Sequence, residues 1–132
     1  MDRNTREHFE KVIELAHAKL TDIHVVQNDI SISRAILQLR GNYRSFEVWL
    51  KEIQLPSGNI YSYYVIEKNQ VVVGFDNYPD AQVLKAKFGR GFRSHSEDRI
   101  PHRHGPGKRT VSLTDSIDAK EFLALLPELT NY

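Results

Sequence analysis

The chain contains no cysteine among its 132 residues. Disulfide bonds, thiolate metal sites and cysteine nucleophiles are therefore excluded. The absence fits a reducing compartment, and we expect a cytoplasmic protein. Hydrophobic residues make up 40% of the chain and charged residues 27%, which is ordinary for a globular domain, so composition alone identifies no function.

Long hydrophobic runs are also missing. No segment approaches the roughly 20 apolar residues of a membrane-spanning helix, and charges are spread through the first turns instead of the apolar stretch of a signal peptide. We therefore expect a soluble protein with no membrane partner. A chain of 132 residues can bury about two-thirds of its unfolded surface in one core, so residues 1–132 are predicted to form a single domain.

Hydrophobic spacing predicts a helix at each end of the chain. Apolar residues recur at helical intervals over about residues 5–20, and Asn4 with Glu7 is typical of a capping box. Helical spacing returns after Thr114–Ser116, which offers several N-caps, and ends near Leu129, where Pro127 is expected to shorten the helix.

The middle of the chain predicts antiparallel strands, because β-branched residues alternate with polar ones. Turn residues at Gly41-Asn42, Pro56–Asn59 and Lys68–Gln70 separate the strands, and a slip in the alternation near Arg34 indicates a bulge or a break. Val111–Leu113 is a further short strand. The expected fold class is α+β, with an N-terminal helix, an antiparallel β-meander of four to six strands, a basic histidine-containing loop and a C-terminal helix.

Aromatic residues are concentrated in the predicted sheet. We expect them on one face, which either packs against a helix or stacks on nucleobases. They are Tyr43, Trp49, Tyr61, Tyr63, Tyr64 and Phe75.

A basic segment follows the meander. Residues 81–109 hold eight Lys or Arg and only two acidic residues, a net charge of +6, which leaves −5 for the rest of a chain whose total is +1. A glycine-containing segment with this charge is typical of a polyanion-binding site, and equally of a solvated or disordered loop.

Histidines within this segment are the main candidates for chemistry. If residues 102–104 are extended, His102 and His104 point to the same side. Asp76, at the end of a predicted strand, either forms an Asx-turn or orients an imidazole. Two histidines are too few for a closed zinc site unless His95, Asp76 or Asp98 completes it, so we expect no metal and no other cofactor.

The same residue types suit phosphodiester cleavage. Attack by an RNA 2′-hydroxyl needs a base, an acid and cations for the phosphate, and His102 and His104 can serve as base and acid with Asp76 in support. Asn77 is a supporting residue. The candidate phosphate-binding residues are Arg103, Lys108, Arg109, Arg93 and Lys87.

Two short motifs are similar to those of the TumE family of toxin–antitoxin proteins. They are the aromatic-Asp-Asn motif at Phe75-Asp76-Asn77 and the Pro-His-x-His motif at Pro101–His104, within a resemblance over about residues 30–128. The resemblance implies the toxin half of a two-gene module, neutralised by a DNA-binding antitoxin. The order of elements is also compatible with a RelE-like architecture, which implies a ribonuclease by analogy of fold alone.

Two functions from different classes therefore stay open, beside a third alternative, a metal-dependent enzyme that uses His102, His104 and Asp76. The first is a metal-independent endoribonuclease that inhibits growth by cutting RNA, with the ribosome as a candidate setting. The second is a non-catalytic module that binds nucleic acid or the antitoxin through the basic loop 81–109. The expected partners are the cognate antitoxin and RNA, and a homodimer is compatible with either function.

Overall fold

The computed structural model describes residues 3–131. The helices are α1 (Arg3–Lys19), α2 (Ala81–Phe88) and α3 (Ala119–Leu129), and two 3-10 segments span Gly89–His95 and Pro106–Lys108. The strands are β1 (Thr21–Ile30), β2 (Ala35–Tyr43), β3 (Phe46–Leu55), β4 (Gly58–Glu67), β5 (Gln70–Asp76), β6 (His102–His104) and β7 (Val111–Leu113).

The strands form one antiparallel meander in which sequence order is also spatial order, from β1 to β7. The predicted α+β class is confirmed. Within residues 3–131 the sheet has seven strands, more than the expected four to six. The added strand is β6, which lies inside the segment expected to be a loop.

That segment is largely ordered. Asp80 begins α2 by accepting hydrogen bonds from the main-chain nitrogens of Gln82 and Val83, at 2.8 and 3.3 Å. Val83 and Leu84 are buried, which anchors the helix. The expectation of a single basic loop over residues 81–109 is therefore wrong for the part that forms α2 and β6.

Local boundaries differ from the expectation in two further places. The turn between β2 and β3 lies at Arg44-Ser45, with Arg44 at φ 55°, and not at Gly41-Asn42. Gly41 is instead a strand residue, where a side chain would press on Leu20 and on the start of β1. The break predicted near Arg34 is confirmed as the turn between β1 and β2.

Helix ends also differ. Asn4 lies inside the first turn of α1, which begins at Arg3, so it does not cap the helix from outside. The N-cap of α3 is Asp118, whose carboxylate accepts from the Glu121 nitrogen at 2.8 Å. Pro127 lies within α3, which continues to Leu129.

Helices α1 and α3 cover one face of the sheet and enclose the hydrophobic core. Phe122 of α3 stacks on Tyr63, with ring centroids 5.4 Å apart, and meets Phe75 edge-on at 6.0 Å. Fully buried side chains of this core come from both helices and from β2, β3 and β4: Phe9, Val12, Leu37, Leu39, Val48, Leu50, Val65, Phe122, Leu123 and Leu126.

The aromatic residues are divided between the two faces, so the expectation of one aromatic face is wrong. Tyr61, Tyr63 and Phe75 belong to the helix-covered core. Trp49 and Tyr64 pair across β3 and β4 on the opposite face. The cause is strand alternation, because Tyr63 and Tyr64 are neighbours in β4 and must point in opposite directions.

Gly74 allows one of these rings to lie against the sheet. It pairs with Tyr64 on β4 and with His104 on β6. A Cβ atom at position 74 would occupy the space that the Tyr64 ring fills. Glycine inside a strand often marks such a close approach.

We predict that Gly74→Ala lowers the free energy of unfolding by about 1–3 kcal/mol, the usual cost of overpacking, because the Tyr64 ring must move. Gly91→Ala is the control, since a Cβ there would meet nothing within 4 Å. Urea denaturation of both variants checks this, and equal stability of the two would contradict the packing argument.

A polar contact joins α1 to the sheet. Nε2 of His8 lies 2.6 Å from Oε1 of Glu52, and the Tyr63 hydroxyl donates to the other carboxylate oxygen at 2.7 Å. Glu52 is buried and His8 is half exposed. The hydrogen bond with Glu52 raises the pKa of His8 above its ordinary 6.5, although burial lowers it in part.

This contact predicts a pH-dependent part of the stability. A histidine with a raised pKa in the folded state stabilises fully below pH 6.5 and loses that contribution as the pH rises through the folded pKa. The stability difference between wild type and His8→Ala should therefore be largest below pH 6.5 and shrink as the pH rises above it. His17→Ala, an exposed position on the same helix, is the control. A difference that does not vary with pH would refute the link.

Candidate functional site

The register of three strands brings the predicted residues together. Asp76, the last residue of β5, pairs with His102, the first residue of β6, and His104 pairs with Gly74. Because side chains alternate along a strand, all three point away from α1 and α3. Asp76, His102 and His104 are 4, 1 and 7% exposed, respectively. We call these three residues the Asp–His–His cluster.

Both imidazoles approach the same carboxylate. Nε2 of His102 lies 2.8 Å from Oδ1 of Asp76, and Nε2 of His104 lies 3.3 Å from Oδ2. The ring centroids are 4.8 Å apart and the planes are nearly perpendicular, at 86°. The two rings therefore meet edge to face around one acid.

His102 is buried, and a hydrogen bond to the main chain orients its ring. Its Nδ1 donates to the carbonyl oxygen of Ile100 at 2.7 Å, so this nitrogen carries a proton. Burial lowers the pKa of His102, but the Asp76 carboxylate and the Ile100 carbonyl outweigh burial and raise it above the ordinary value. With 1% exposure, His102 cannot touch a ligand in solution without a local rearrangement.

The pKa of His104 moves the other way. Burial lowers it, His102 and Lys108 lower it further, and the attraction of Asp76 offsets this only in part. His104 is therefore a neutral imidazole at neutral pH. The two histidines, two positions apart, have opposite charge preferences because only one of them has close acceptors at both nitrogens.

Asp76 is supported by two further donors. The Tyr64 hydroxyl donates to Oδ2 at 2.5 Å, and the main-chain nitrogen of Tyr78 donates to Oδ1 at 3.1 Å. Burial raises the pKa of Asp76, but the close His102 imidazole and the hydrogen bond from Tyr64 together exceed that effect and hold the pKa below its ordinary value. Asp76 thus forms the predicted Asx-turn through the Tyr78 nitrogen. It also lies where it can orient the imidazoles, so the two interpretations do not exclude each other.

Asn77 holds the end of the strand. Its side-chain oxygen accepts from the Tyr61 nitrogen at 2.8 Å, and its amide donates to the Asn59 carbonyl at 3.0 Å. Those bonds extend the β4–β5 pairing by one residue. Asn77 therefore supports the position of Asp76 without approaching the histidines.

An open cleft of about 640 Å³ reaches the Asp–His–His cluster. Asp76 and His104 line it, whereas His102 does not. The other lining residues are Ser62, Tyr64, Tyr78, Pro79, Asp80, Ala81, Gln82 and Lys108. Sequence reasoning missed Tyr64 as a site residue, and the unexplained glycine at position 74, which makes room for its ring, was the available signal.

The predicted phosphate-binding residues are not all in one place. Lys108 lines the cleft, with its ammonium 4.7 Å from the centroid of the Tyr64 ring. Arg103 lies on the face covered by α1 and α3, with its guanidinium 5.3 Å from the Phe75 ring. It points there because it lies between His102 and His104 in β6, and both of these point to the opposite face. The structure therefore separates Arg103 from the Asp–His–His cluster.

Three more predicted cations are exposed and outside the cleft lining. Arg109 follows the 3-10 segment that carries Lys108. Lys87 and Arg93 lie on α2 and on the 3-10 segment after it, each near a phenylalanine ring, at 5.8 Å from Phe88 and 5.7 Å from Phe92.

No known protein family, curated protein or solved structure matches this chain. The likeness to TumE toxins stays a prediction from two short motifs. In the described part of the chain, the helices are all too short or too polar to cross a membrane.

We predict that Asp76→Asn lowers the free energy of unfolding by about 3 kcal/mol or more, because it leaves the enclosed His102 without its counter-charge. Asp98→Asn is a matched control, since Asp98 also meets a histidine, His95 at 2.9 Å, but at the surface, where such pairs contribute less than about 1 kcal/mol. Chemical denaturation compares the two. Equal losses of unfolding free energy in the two variants would show that burial of the cluster does not increase its contribution to stability.

Proposed function

We propose that this protein is the toxin of a TumE-like toxin–antitoxin module and that it inhibits growth in the cytoplasm by cleaving RNA. The observation that carries the proposal is the opening of a buried Asp–His–His cluster into a cleft that also holds Lys108. Paired acid–base groups beside a cation are what phosphodiester cleavage requires.

The charge distribution supports a polyanionic substrate. Residues 81–109 carry +6 while the remaining residues carry −5. This segment supplies Ala81, Gln82, His104 and Lys108 to the lining of the cleft. An RNA strand drawn to the basic surface would therefore arrive beside His104.

The exposure of the two histidines divides their roles. His104 lines the cleft and lacks a charge at neutral pH, so it takes the proton from the attacking 2′-hydroxyl. Lys108 binds the phosphate, whose negative charge grows during attack. The 2′-oxygen bonds to phosphorus as the bond to the 5′-oxygen breaks, and the departing 5′-oxygen takes its proton from solvent in the open cleft. His102 is enclosed behind Asp76 and acts as a positioning residue, which departs from the simple base-and-acid pair expected from sequence.

A second candidate is the non-catalytic binding module. In its favour, basic side chains lie over exposed or half-buried phenylalanines outside the cleft: the Lys85 ammonium is 5.1 Å and the Arg93 guanidinium 5.7 Å from the Phe92 ring. An antitoxin with an acidic segment, or a nucleic acid, suits such a surface.

We predict that His104→Ala abolishes growth inhibition on expression in bacteria and abolishes cleavage of RNA by the purified protein. His24→Ala, an exposed histidine on β1, is the control and should remain toxic and active. Circular dichroism confirms that both variants are folded, and colony counts and RNA gel electrophoresis provide the two readouts.

Full toxicity of folded His104→Ala would refute the assignment of the cleft. RNA that is bound in a salt-dependent way but left uncut by the wild type would refute cleavage and favour the binding module. An expressed wild type that does not slow growth would refute the toxin role itself.

A further inference from the structure

The donor atoms of the Asp–His–His cluster are spaced like the ligands of one metal ion. Two ligands that are each about 2.1 Å from an ion are roughly 3.0–3.4 Å apart when they subtend a right or tetrahedral angle. The nitrogen-to-oxygen separations here are 2.8 Å for His102 and 3.3 Å for His104. One donor atom from each residue lies within 4.8 Å of the others, so an ion would only need to draw the rings slightly inward.

The orientation of the His102 ring is also consistent with an ion shared by His102 and Asp76. Although its Nε2 is 2.8 Å from Asp76, it makes no aligned hydrogen bond within residues 3–131. The nitrogen is also buried, so it is a polar atom that calls for a partner. A buried nitrogen close to a carboxylate but not aimed at it is the arrangement expected when both atoms face a common ion.

The outer contacts match those that orient metal ligands. The opposite nitrogen of His102 donates to the Ile100 carbonyl, and Asp76 accepts from the Tyr64 hydroxyl and the Tyr78 amide. Metal-binding histidines usually donate their second ring N–H to a carbonyl or carboxylate, and ligating carboxylates are themselves hydrogen-bonded. Two of the three candidate ligands, His102 and Asp76, are therefore already oriented by hydrogen bonds from outside the cluster.

We propose that Asp76, His102 and His104 form a binding site for a divalent transition-metal ion such as Zn²⁺. Two imidazoles and one carboxylate suit borderline divalent cations, and hard ions such as Mg²⁺ prefer oxygen ligands alone. Three protein ligands leave coordination positions open, and two of the three, Asp76 and His104, line the cleft through which an ion would enter. The expectation of no metal was made because two histidines alone are too few for a closed site, and the β5–β6 pairing now places Asp76 beside them as a third candidate ligand.

This inference does not depend on RNA cleavage, because binding is measured without RNA. It does change the role of His104. A nitrogen that holds the ion cannot also accept a proton, so the ion and its bound water would replace His104 as the source of the base.

The test is calorimetric titration of the chelator-treated full-length protein with Zn²⁺, together with the visible absorption of the Co²⁺-loaded form. We expect one ion per chain. His104→Ala should weaken binding by more than about 100-fold, and Tyr64→Phe, which removes a support of Asp76, by about 10–100-fold. His95→Ala is the control and should bind like wild type, since His95 and Asp98 form a surface pair elsewhere.

Wild-type protein that binds Zn²⁺ more weakly than about 1 mM would overturn the proposal whatever the variants do. Folded His104→Ala that binds like wild type would overturn it as well, as would loss of binding in His95→Ala. Metal binding without RNA cleavage would leave this inference standing and remove the proposed ribonuclease.

Discussion

The buried carboxylate of Asp76 is the constraint on which the site depends. A charge with 4% exposure must have partners, and this one has two imidazoles, a tyrosine hydroxyl and a main-chain amide. These four partners come from three places in the chain: β4, β6 and the turn after β5. The contacts of this one carboxylate therefore fix the relative positions of β4, β5 and β6 on this face.

The two faces of the sheet carry different kinds of side chain. The face under α1 and α3 holds the apolar side chains and their stacked aromatic rings. The opposite face holds the Asp–His–His cluster, with α2 beside it. Alternation within single strands creates this separation, since Phe75 and Asp76 are neighbours with opposite surroundings. Changes to the site therefore need not disturb the core.

Periodicity was sufficient to predict the α+β class, the two terminal helices and most strands, because hydrophobic spacing directly reflects which face is buried. It also identified Asp76, His102 and His104 as candidates. The alternation that placed His102 and His104 on one side also implied that Arg103 points to the other, but Arg103 was still expected to bind phosphate with them, since a loop over residues 81–109 would fix no side-chain direction. The role of Tyr64 depended on a ring folding over Gly74, a contact between two strands that no local pattern contains. Asp118 was missed as a cap because several neighbouring residues had equal capping preference, and Asp80 because no helix was expected within residues 81–109.

Strand β6 is only three residues long, yet it carries both histidines of the Asp–His–His cluster. Among the described residues, 3–131, the three-residue β7 alone lies beyond it at that edge of the sheet. Short terminal strands open at a lower free energy than the elements of a core. Release of β6 would carry both imidazoles away from Asp76 while Phe9, Leu50 and Phe122 stay packed. Opening of this edge would therefore disassemble the Asp–His–His cluster without unfolding the core.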